Sequence, residues 1–316
     1  KTLDPKKVIN SVEVLSEQIP ITGTIVKGTY AGAFPNEENI KHFASTHDHI
    51  DVYDYPFASS SANFIFSMTA GFSANKPGGA LAQPSNEKVL KNNIYRQFSQ
   101  QYVGYDTNQN AVDFNISGVL NPTDAFPPKL DSLIFVDFSR TLMKDEIKKG
   151  SFRLTLGTGS FATPFADGVK TISDAHVVEG NEATYKSTSP MGEFALLQDG
   201  TATTVPTQTE VGFLFYQAGL LALVPSTEVF GIELTSGSVF TVEAAQTPEI
   251  AMLSGSINDI VDGVRAHIHN IQFNNITELN STSYFLNAGP NEFNYSNNPS
   301  FVSGSEIRVK NGKASN

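Results

Sequence analysis

The chain of 316 residues contains no cysteine. That absence excludes a disulfide framework, a thiolate metal site and a cysteine nucleophile, so the fold must be stabilised by buried apolar side chains or by neighbouring subunits. Charged residues are also scarce, at 17% of the sequence, whereas about a quarter is typical of soluble domains. The polar surface therefore depends on Asn, Ser, Thr and Gln, a bias often found in extracellular or assembled β-rich proteins.

Positive charge and long apolar runs are lacking as well. The 21 Lys and Arg residues are outnumbered by 32 Asp and Glu residues, which gives a net charge of -11. Nucleic-acid binding requires clustered Lys and Arg, so we expect no nucleic-acid partner. The longest apolar run, residues 211–225, is too short to span a bilayer and contains Gln217 and Gly219. We therefore expect no membrane partner and predict two buried strands, or one bent strand, for this run.

The residues that are abundant favour a packed, β-rich interior. Hydrophobic residues make up 40% of the chain, which includes 23 Phe and 10 Tyr. The predicted fold is α+β and β-dominated, with antiparallel sheets or a sandwich and a few short amphipathic helices, one of them around 86–103. We expect one large β-rich domain over residues 1–316 with helical insertions, and we leave open a division near 105–130.

Two segments carry the clearest helix signals. Apolar residues recur every four positions through residues 85–104, namely Leu90, Ile94, Phe98 and Tyr102. Residues 256–265 begin with a capping pattern formed by Ser256 and Asp259 and continue with apolar residues at helical spacing. Other signals predict short helices at residues 36–44, 58–71 and 144–150.

Strands are predicted where apolar residues alternate or form short buried runs. The predicted strands include residues 22–30, 132–140 and 151–159, and a hairpin over 228–245. Two more strands are predicted over 266–289, joined near Asn274 and Asn275.

The C-terminal residues predict an incomplete hairpin. Ile307 and Val309 indicate a strand that leads into Asn311 and Gly312, a strong hairpin-turn pair. We expect either that the returning strand has been removed or that another molecule completes this edge. The chain begins at Lys1 and shows no signal peptide, so we also expect a trimmed or processed form.

The densest cluster of potential metal ligands is THDHIDVYD at residues 46–54. In an extended segment His47, His49 and Asp51 would share one face, and imidazole with carboxylate suits Zn²⁺ or Mn²⁺. The same residues are ordinary in a solvated turn, which is the interpretation we prefer. We therefore predict no bound metal and no cofactor, and keep these three residues as the candidate ligands.

Other candidate sites are weaker. His267 and His269 would share one face of a predicted strand with Ile271 and Phe273, which favours partly buried, hydrogen-bonded histidines over a ligand pair. The glycines at 157–159 lack the ending and the following helix of a phosphate-binding loop. There is no nucleophile elbow and no paired-histidine zinc motif. We therefore expect no catalytic residues and no enzymatic activity.

Six stretches, in chain order, carry a resemblance to a known family. They are VYDYPFASSSANFIFSMTAGFS at 52–73, IYRQFSQQYVG at 94–104, FVDFSRTLMKDEIKKGSFRLTLG at 135–157, VGFLFYQAGLLALVP at 211–225, AMLSGSINDIVDGVRAHIHNIQFNNITELNSTSYF at 251–285 and NEFNYSNNPSFVSGSEIRVK at 291–310. Together they resemble virion structural proteins of tailed bacteriophages, best represented in marine T4-like myoviruses. Members of this family usually continue with further strand-forming sequence.

The resemblance implies a structural subunit of the tail, baseplate or neck and no enzymatic role. It implies partners that are other copies of the chain, as a homo-oligomer, and other virion proteins, and a location in the virion after assembly in the bacterial host cytoplasm. A receptor- or glycan-binding tail module and a capsid-associated decoration protein remain alternatives. A metal-dependent hydrolase built on His47, His49 and Asp51 is the least favoured one.

The most distinctive of these stretches is NEFNYSNNPSF, residues 291–301. We predict that Phe293, Tyr295 and Phe301 pin this irregular segment to the core and that Pro299 stiffens its exit. Asparagines cap turns with their side chains and tolerate left-handed backbone. The segment would then be a rigid connector that presents a strand edge for assembly. In the glycan-binding alternative, Phe293 and Tyr295 would stack on sugars instead.

Overall fold

The computed structural model describes residues 8–27, 38–43, 48–75, 86–115, 130–159, 163–174, 185–199, 210–225, 252–253, 255–285, 302–303 and 306–307. The chain divides into two compact units. The larger unit is Leu15–Thr277, and the smaller combines the terminal segments Lys1–Val14 and Glu278–Asn316.

Strands are the main regular structure of the described residues. In chain order they are β1 (Val8–Thr22), β2 (Ile40–His42), β3 (Ile50–Tyr53), β4 (Phe64–Phe72), β5 (Ser132–Phe138), β6 (Glu146–Ile147), β7 (Arg153–Gly157), β8 (Val169–Ser173), β9 (Tyr185–Ser189), β10 (Gly192–Asp199), β11 (Glu210–Phe215), β12 (Leu220–Leu223), β13 (Ile268–Tyr284), β14 (Val302–Ser303) and β15 (Glu306–Ile307). Aromatic and β-branched residues are frequent in the buried strands because they pack well on a pleated surface.

The helices within the described residues are few and short. They are α1 (Gly23–Lys27), α2 (Asn86–Phe98), α3 (Arg140–Met143) and α4 (Ile257–His267), and a π-helical turn (Ser99–Val103) continues α2. Helices α2 and α4 confirm the two clearest helix predictions. Ser256 caps α4 as predicted, because its Oγ accepts the Asp259 N–H at 3.1 Å and satisfies an amide that has no partner within the helix.

One large antiparallel sheet organises the fold. Among the described strands thirteen belong to it, in the order β1, β13, β7, β8, β10, β11, β12, β5, β4, β3 and β2, with β6 beside β13 and β9 beside β10. The strand pairs with a resolved register are antiparallel. Strands β14 and β15 form a separate antiparallel pair. The predicted β-dominated α+β class with antiparallel sheet structure is confirmed.

Helix α2 packs directly on strand β4. A Cβ atom at Gly71 would lie 2.8 Å from both Lys91 O and Tyr95 N, so the backbones of helix and strand touch at this glycine. Beside this contact Phe98 stacks on Phe135 with ring centroids 4.0 Å apart. Helix α2 therefore covers the face of β4 and β5 that carries Gly71 and Phe135, whereas Phe66 and Phe138 lie on the opposite face.

Two of the predicted helices are strands. Residues 36–44 contain β2, and residues 58–71 contain most of β4. In β4 the buried Phe66, Met68 and Ala70 alternate with half-buried residues, which is the period of a strand. Strands β3 and β5 hydrogen-bond to its two edges, and this non-local pairing outweighs the local helix signal.

Two more predictions fail near chain reversals. The predicted strand at 22–30 is the last residue of β1 followed by α1, and the predicted helix at 144–150 contains β6, with α3 just before it. The run 211–225 does form two buried strands, β11 and β12, and the turn between them ends at Gly219 with a φ of 72°. Both predicted hairpin turns, within 228–245 and at 311–312, lie outside the described residues, as does Val309.

The predicted break near Asn274 and Asn275 is also wrong, because β13 runs without interruption from Ile268 to Tyr284. The Asn275 side chain secures the strand on both sides. Its Oδ1 accepts the Glu17 N–H at 3.0 Å, and its Nδ2 donates to Leu142 O at 2.8 Å. Asn275, a residue type that is common in turns, thus hydrogen-bonds to two segments that are distant in the sequence.

Candidate functional site

Two of the three candidate metal ligands lie together on the larger unit. His49 Nδ1 is 2.8 Å from Asp48 Oδ1, and His49 Nε2 is 3.8 Å from Asp51 Oδ1. Asp51 Oδ1 also accepts a hydrogen bond from Ser67 Oγ at 2.5 Å, and the His49 ring stacks on Phe43 with centroids 4.1 Å apart. The polar atoms of this cluster are therefore engaged with one another.

The third candidate, His47, lies outside the described residues. Within the part of the chain that the structure describes, no group of three or more His, Cys, Asp and Glu side chains is placed to hold a metal ion. His49 and Asp51 alone offer fewer protein ligands than the three of a catalytic zinc site. The absence of a metal stays a prediction.

A shallow depression of about 220 Å³ adjoins this cluster and is lined by His49, Ser67, Thr69 and Asp137, among others. Burial raises the pKa of the Asp137 carboxyl, and the Arg140 guanidinium opposes that rise. The hydroxyl of Ser67 donates to Asp51, and that of Thr69 donates to the Asp48 carbonyl at 2.5 Å. Neither hydroxyl is paired with a histidine as an activated nucleophile would be.

The structure separates His267 from His269. His267 ends α4 and is fully buried, with its Nδ1 2.7 Å from Gly263 O and its Nε2 3.0 Å from Gly159 O. His269 is an exposed residue of β13, and its ring lies edge-on to Phe165 with centroids 5.4 Å apart. The expectation of a hydrogen-bonded histidine is confirmed for His267, whereas the shared strand face is wrong because the helix extends two residues beyond 265.

The predicted connector residues Phe293, Tyr295, Pro299 and Phe301 lie outside the described residues. Their role in anchoring a strand edge stays a prediction. Downstream of them, β14 and β15 are described only as a short antiparallel pair, with Val302 opposite Ile307.

The smaller unit contains a two-stranded segment, residues 8–14 and 278–285, which we call the terminal ribbon. Ser11 Oγ and Ser281 Oγ are hydrogen-bonded at 2.8 Å, and Thr282 Oγ1 donates to Asn10 Oδ1 at 3.0 Å. From the first pair to the second, the residue number falls by one in the first strand and rises by one in the other, so the ribbon is antiparallel. Sequence analysis missed the first of these strands, although the β-branched Val8, Ile9, Val12 and Val14 signal it.

Large apolar side chains cover the terminal ribbon and remain in contact with solvent. Their exposed fractions are 54% for Ile9, 61% for Val12, 57% for Val14, 47% for Leu279, 62% for Tyr284 and 57% for Phe285. Between residues 8 and 14 the only charged residue is Glu13, and between 278 and 285 it is Glu278. Strand alternation places Val12, Val14 and Tyr284 on the face of Asn10 and Thr282, and the other three on the face of Ser11 and Ser281. Exposed large apolar residues with few charges among them are typical of surfaces that contact another protein.

One edge of strand β1 pairs with no other described strand. Strand β1 is the terminal strand in the order of the large sheet, so among the described strands it has one neighbour, β13. An unpaired edge presents a row of backbone N–H and C=O groups to any strand that can align with it. Native proteins usually protect such edges with lysines or bulges, and residues 8–14 contain neither a lysine nor an arginine.

No protein-family model, curated protein or solved structure matches the chain. Within the described residues, no helix has the length and apolar content needed to cross a membrane.

Proposed function

We propose that this chain is a structural subunit of a tailed bacteriophage particle, a component of the tail, baseplate or neck, that acts through protein–protein assembly. Two independent lines support the proposal. One is the resemblance of six stretches of the sequence to virion structural proteins. The other, which carries the argument, is the terminal ribbon with its exposed apolar side chains and open strand edge.

The occupant that suits the ribbon is a second copy of the same chain. The ribbon carries only two charged residues, both acidic, so an oppositely charged partner could form few ion pairs with it. Identical edges can pair with each other, and self-complementary contacts of this kind generate the closed symmetry common in homo-oligomers. The net charge of -11 opposes self-association at long range, so salt should strengthen the contact by screening it.

The energy of such a contact is modest. Full burial of a Val, Leu, Ile or Phe side chain is favourable by about 1.5–3 kcal/mol, so a half-exposed one contributes roughly 1 kcal/mol. Three such residues lie on each face of the ribbon, so one face of each of two ribbons gives roughly 6 kcal/mol, which lies within the association cost of about 4–15 kcal/mol. A single ribbon contact is therefore weak, and repetition of the contact around a symmetric assembly makes it stable.

The proposal is tested by measuring molar mass against protein concentration with light scattering. We expect a concentration-dependent mass above 34.1 kDa for the native chain, and a larger mass at higher salt. The double variant Val12→Lys/Tyr284→Lys should remain at the mass of one chain, because two charges would be buried in the contact.

The matched control is Val169→Lys, which changes a 49% exposed valine in β8 of the larger unit. This variant should assemble like the native chain. A native chain that stays monomeric throughout, or a ribbon variant that assembles as well as the control, would contradict the assembly role.

The place in the particle is tested separately. Antibodies raised against the chain should label the tail, baseplate or neck of purified phage particles in electron micrographs. Labelling of the capsid would favour the decoration protein instead, and purified particles without the chain would overturn the virion assignment.

A further inference from the structure

The depression beside His49 has an apolar wall near the end of α2. Phe98 of α2 stacks on Phe135 of β5 with ring centroids 4.0 Å apart, and Ile94 also lines the depression. The volume of about 220 Å³ is below the range of about 300–1,000 Å³ for small-molecule sites. The depression therefore suits a single group of the size of a side chain.

Asp137 lies beside this apolar wall without a hydrogen-bond partner among the described residues. It is opposite Ser67 in the neighbouring strand and two residues from Phe135 in its own, so it shares the face that α2 covers. The residue is exposed, and no described group donates a hydrogen bond to its carboxylate. Partial burial of the carboxyl raises its pKa, and the Arg140 guanidinium, which opposes this rise, donates instead to Gln217 O at 2.9 Å.

The two hydroxyl groups that line the depression have no proton to offer a ligand. Ser67 Oγ donates to Asp51 Oδ1 at 2.5 Å, and Thr69 Oγ1 donates to Asp48 O at 2.5 Å. His49 Nδ1 lies 2.8 Å from the Asp48 carboxylate, which only accepts, so this nitrogen donates its proton there. The polar side chains of the depression therefore offer acceptors, and a ligand must supply the donors.

Charge narrows the ligand class further. Asp48 and Asp137 line the depression and Asp51 adjoins it, so an anion is repelled. Ammonium and guanidinium groups are cations that only donate. Guanidinium is the less hydrated of the two, and its planar fork matches both oxygens of a carboxylate beside apolar surface. We propose that the depression binds one alkylguanidinium group, with its charge on the Asp137 carboxylate and its aliphatic stem against Ile94 and Phe98.

The site is tested on the intact chain with two guanidinium probes, butylguanidinium and N-acetyl-arginine amide, followed in amide NMR spectra. We expect a dissociation constant on the order of 1 mM for at least one of them, because so small a ligand makes few contacts. The amide signals of Ser67, Thr69 and Phe98 should shift as the probe is added. Tighter binding of butylguanidinium would identify a free small molecule as the ligand, and tighter binding of the arginine derivative would identify an arginine side chain of a protein.

The role of the carboxylate is tested with Asp137→Asn, which keeps the shape of the side chain. This variant should weaken binding by at least about tenfold, since hydrogen bonds to a charged group are the stronger kind. Its unfolding temperature should be no lower than that of the native chain, because the carboxylate has no hydrogen bond to a described residue to lose. The matched control is Asp167→Asn, which removes an exposed carboxylate that does not line the depression and should leave binding unchanged.

The role of the ligand's charge is tested with N-acetyl-citrulline amide, a neutral molecule of the same length as the arginine probe. It should bind at least about tenfold more weakly. This comparison uses the native chain, so it remains decisive if Asp137→Asn fails to fold.

Four outcomes would overturn the guanidinium site. They are binding of neither guanidinium probe, equal binding of the citrulline derivative, undiminished binding by a folded Asp137→Asn variant, and shifts confined to residues outside the depression. The experiments on the ribbon change different residues and measure molar mass, so the assembly role and the guanidinium site can fail separately.

Discussion

The two halves of β13 contain similar residue types in opposite environments. In the larger unit Ile268, Ile271 and Phe273 of this strand are at most 2% exposed. In the smaller unit Leu279 and Tyr284 of the same strand are 47% and 62% exposed. The first half has β7 and β6 as resolved partners, whereas the second half has no resolved pairing with either. Neighbouring segments, and not the apolar content of a strand, therefore decide what is buried.

The largest expected effect is obtained by truncating an aromatic residue in the buried half. Phe273 is fully buried and packs against Phe138 with ring centroids 5.3 Å apart. Phe273→Ala should lower the free energy of unfolding by about 3–5 kcal/mol, because it leaves a cavity in the core.

The control for this change is Leu279→Ala in the exposed half, which should lower the free energy of unfolding by no more than about 0.5 kcal/mol. Both values are measured by urea denaturation of the monomeric chain. Equal losses for the two variants would mean that the ribbon is packed, and the comparison would no longer hold.

The buried lysine of the larger unit provides the second test, through pH. Lys91 is fully buried, and its Nζ donates to Met252 O at 2.8 Å and to Gly255 O. Burial is the main reason why its pKa falls from 10.5 to about 8. Between these two values the unfolded chain binds more protons than the folded chain, so stability should rise with pH.

The rise between pH 8 and pH 10.5 should be roughly 3 kcal/mol from this group alone. Lys91→Met should show a correspondingly smaller rise when urea unfolding is compared at the two ends of the window. Burial also raises the pKa of Tyr102 to about 12, so stability should fall again as the pH passes 10. An identical pH dependence in the native chain and the methionine variant would mean that Lys91 does not titrate in this window.

The smallest of the three effects concerns the contact between helix and strand. Gly71→Ala places a methyl group 2.8 Å from two backbone atoms of α2, which must shift to admit it. We expect a loss of about 1–3 kcal/mol in the free energy of unfolding. Hydrogen exchange should increase first at the amides of α2 near Tyr95, and unchanged exchange there would show that the helix backbone does not rest on β4.

Local signals predicted the parts of the fold that depend on few residues. The four-residue spacing from Leu90 to Tyr102 identified α2, and Ser256 identified the start of α4. Strand β4 was mistaken for a helix because its neighbours, β3 and β5, come from other parts of the chain. The same cause explains β13, because nothing near Asn275 in sequence reveals that Glu17 and Leu142 bind its side chain.

For the candidate sites too, the sequence predicted contacts within one segment and missed those between distant segments. The sequence predicted that His49 and Asp51 would lie side by side, because residues two apart in an extended segment share a face. It did not reveal the depression beside His49, since most of the other lining residues come from β4, α2 and β5. The exposure of the terminal ribbon was also hidden, because Val12 and Val14 in sequence resemble core residues.

The side-chain bond between Ser11 and Ser281 spans a separation of 270 residues. During translation, Ser11 leaves the ribosome long before its partner has been synthesised. The ribbon therefore cannot form until residue 281 has left the ribosome. An interrupted translation product could bury much of its interior and still lack the surface that we propose for assembly.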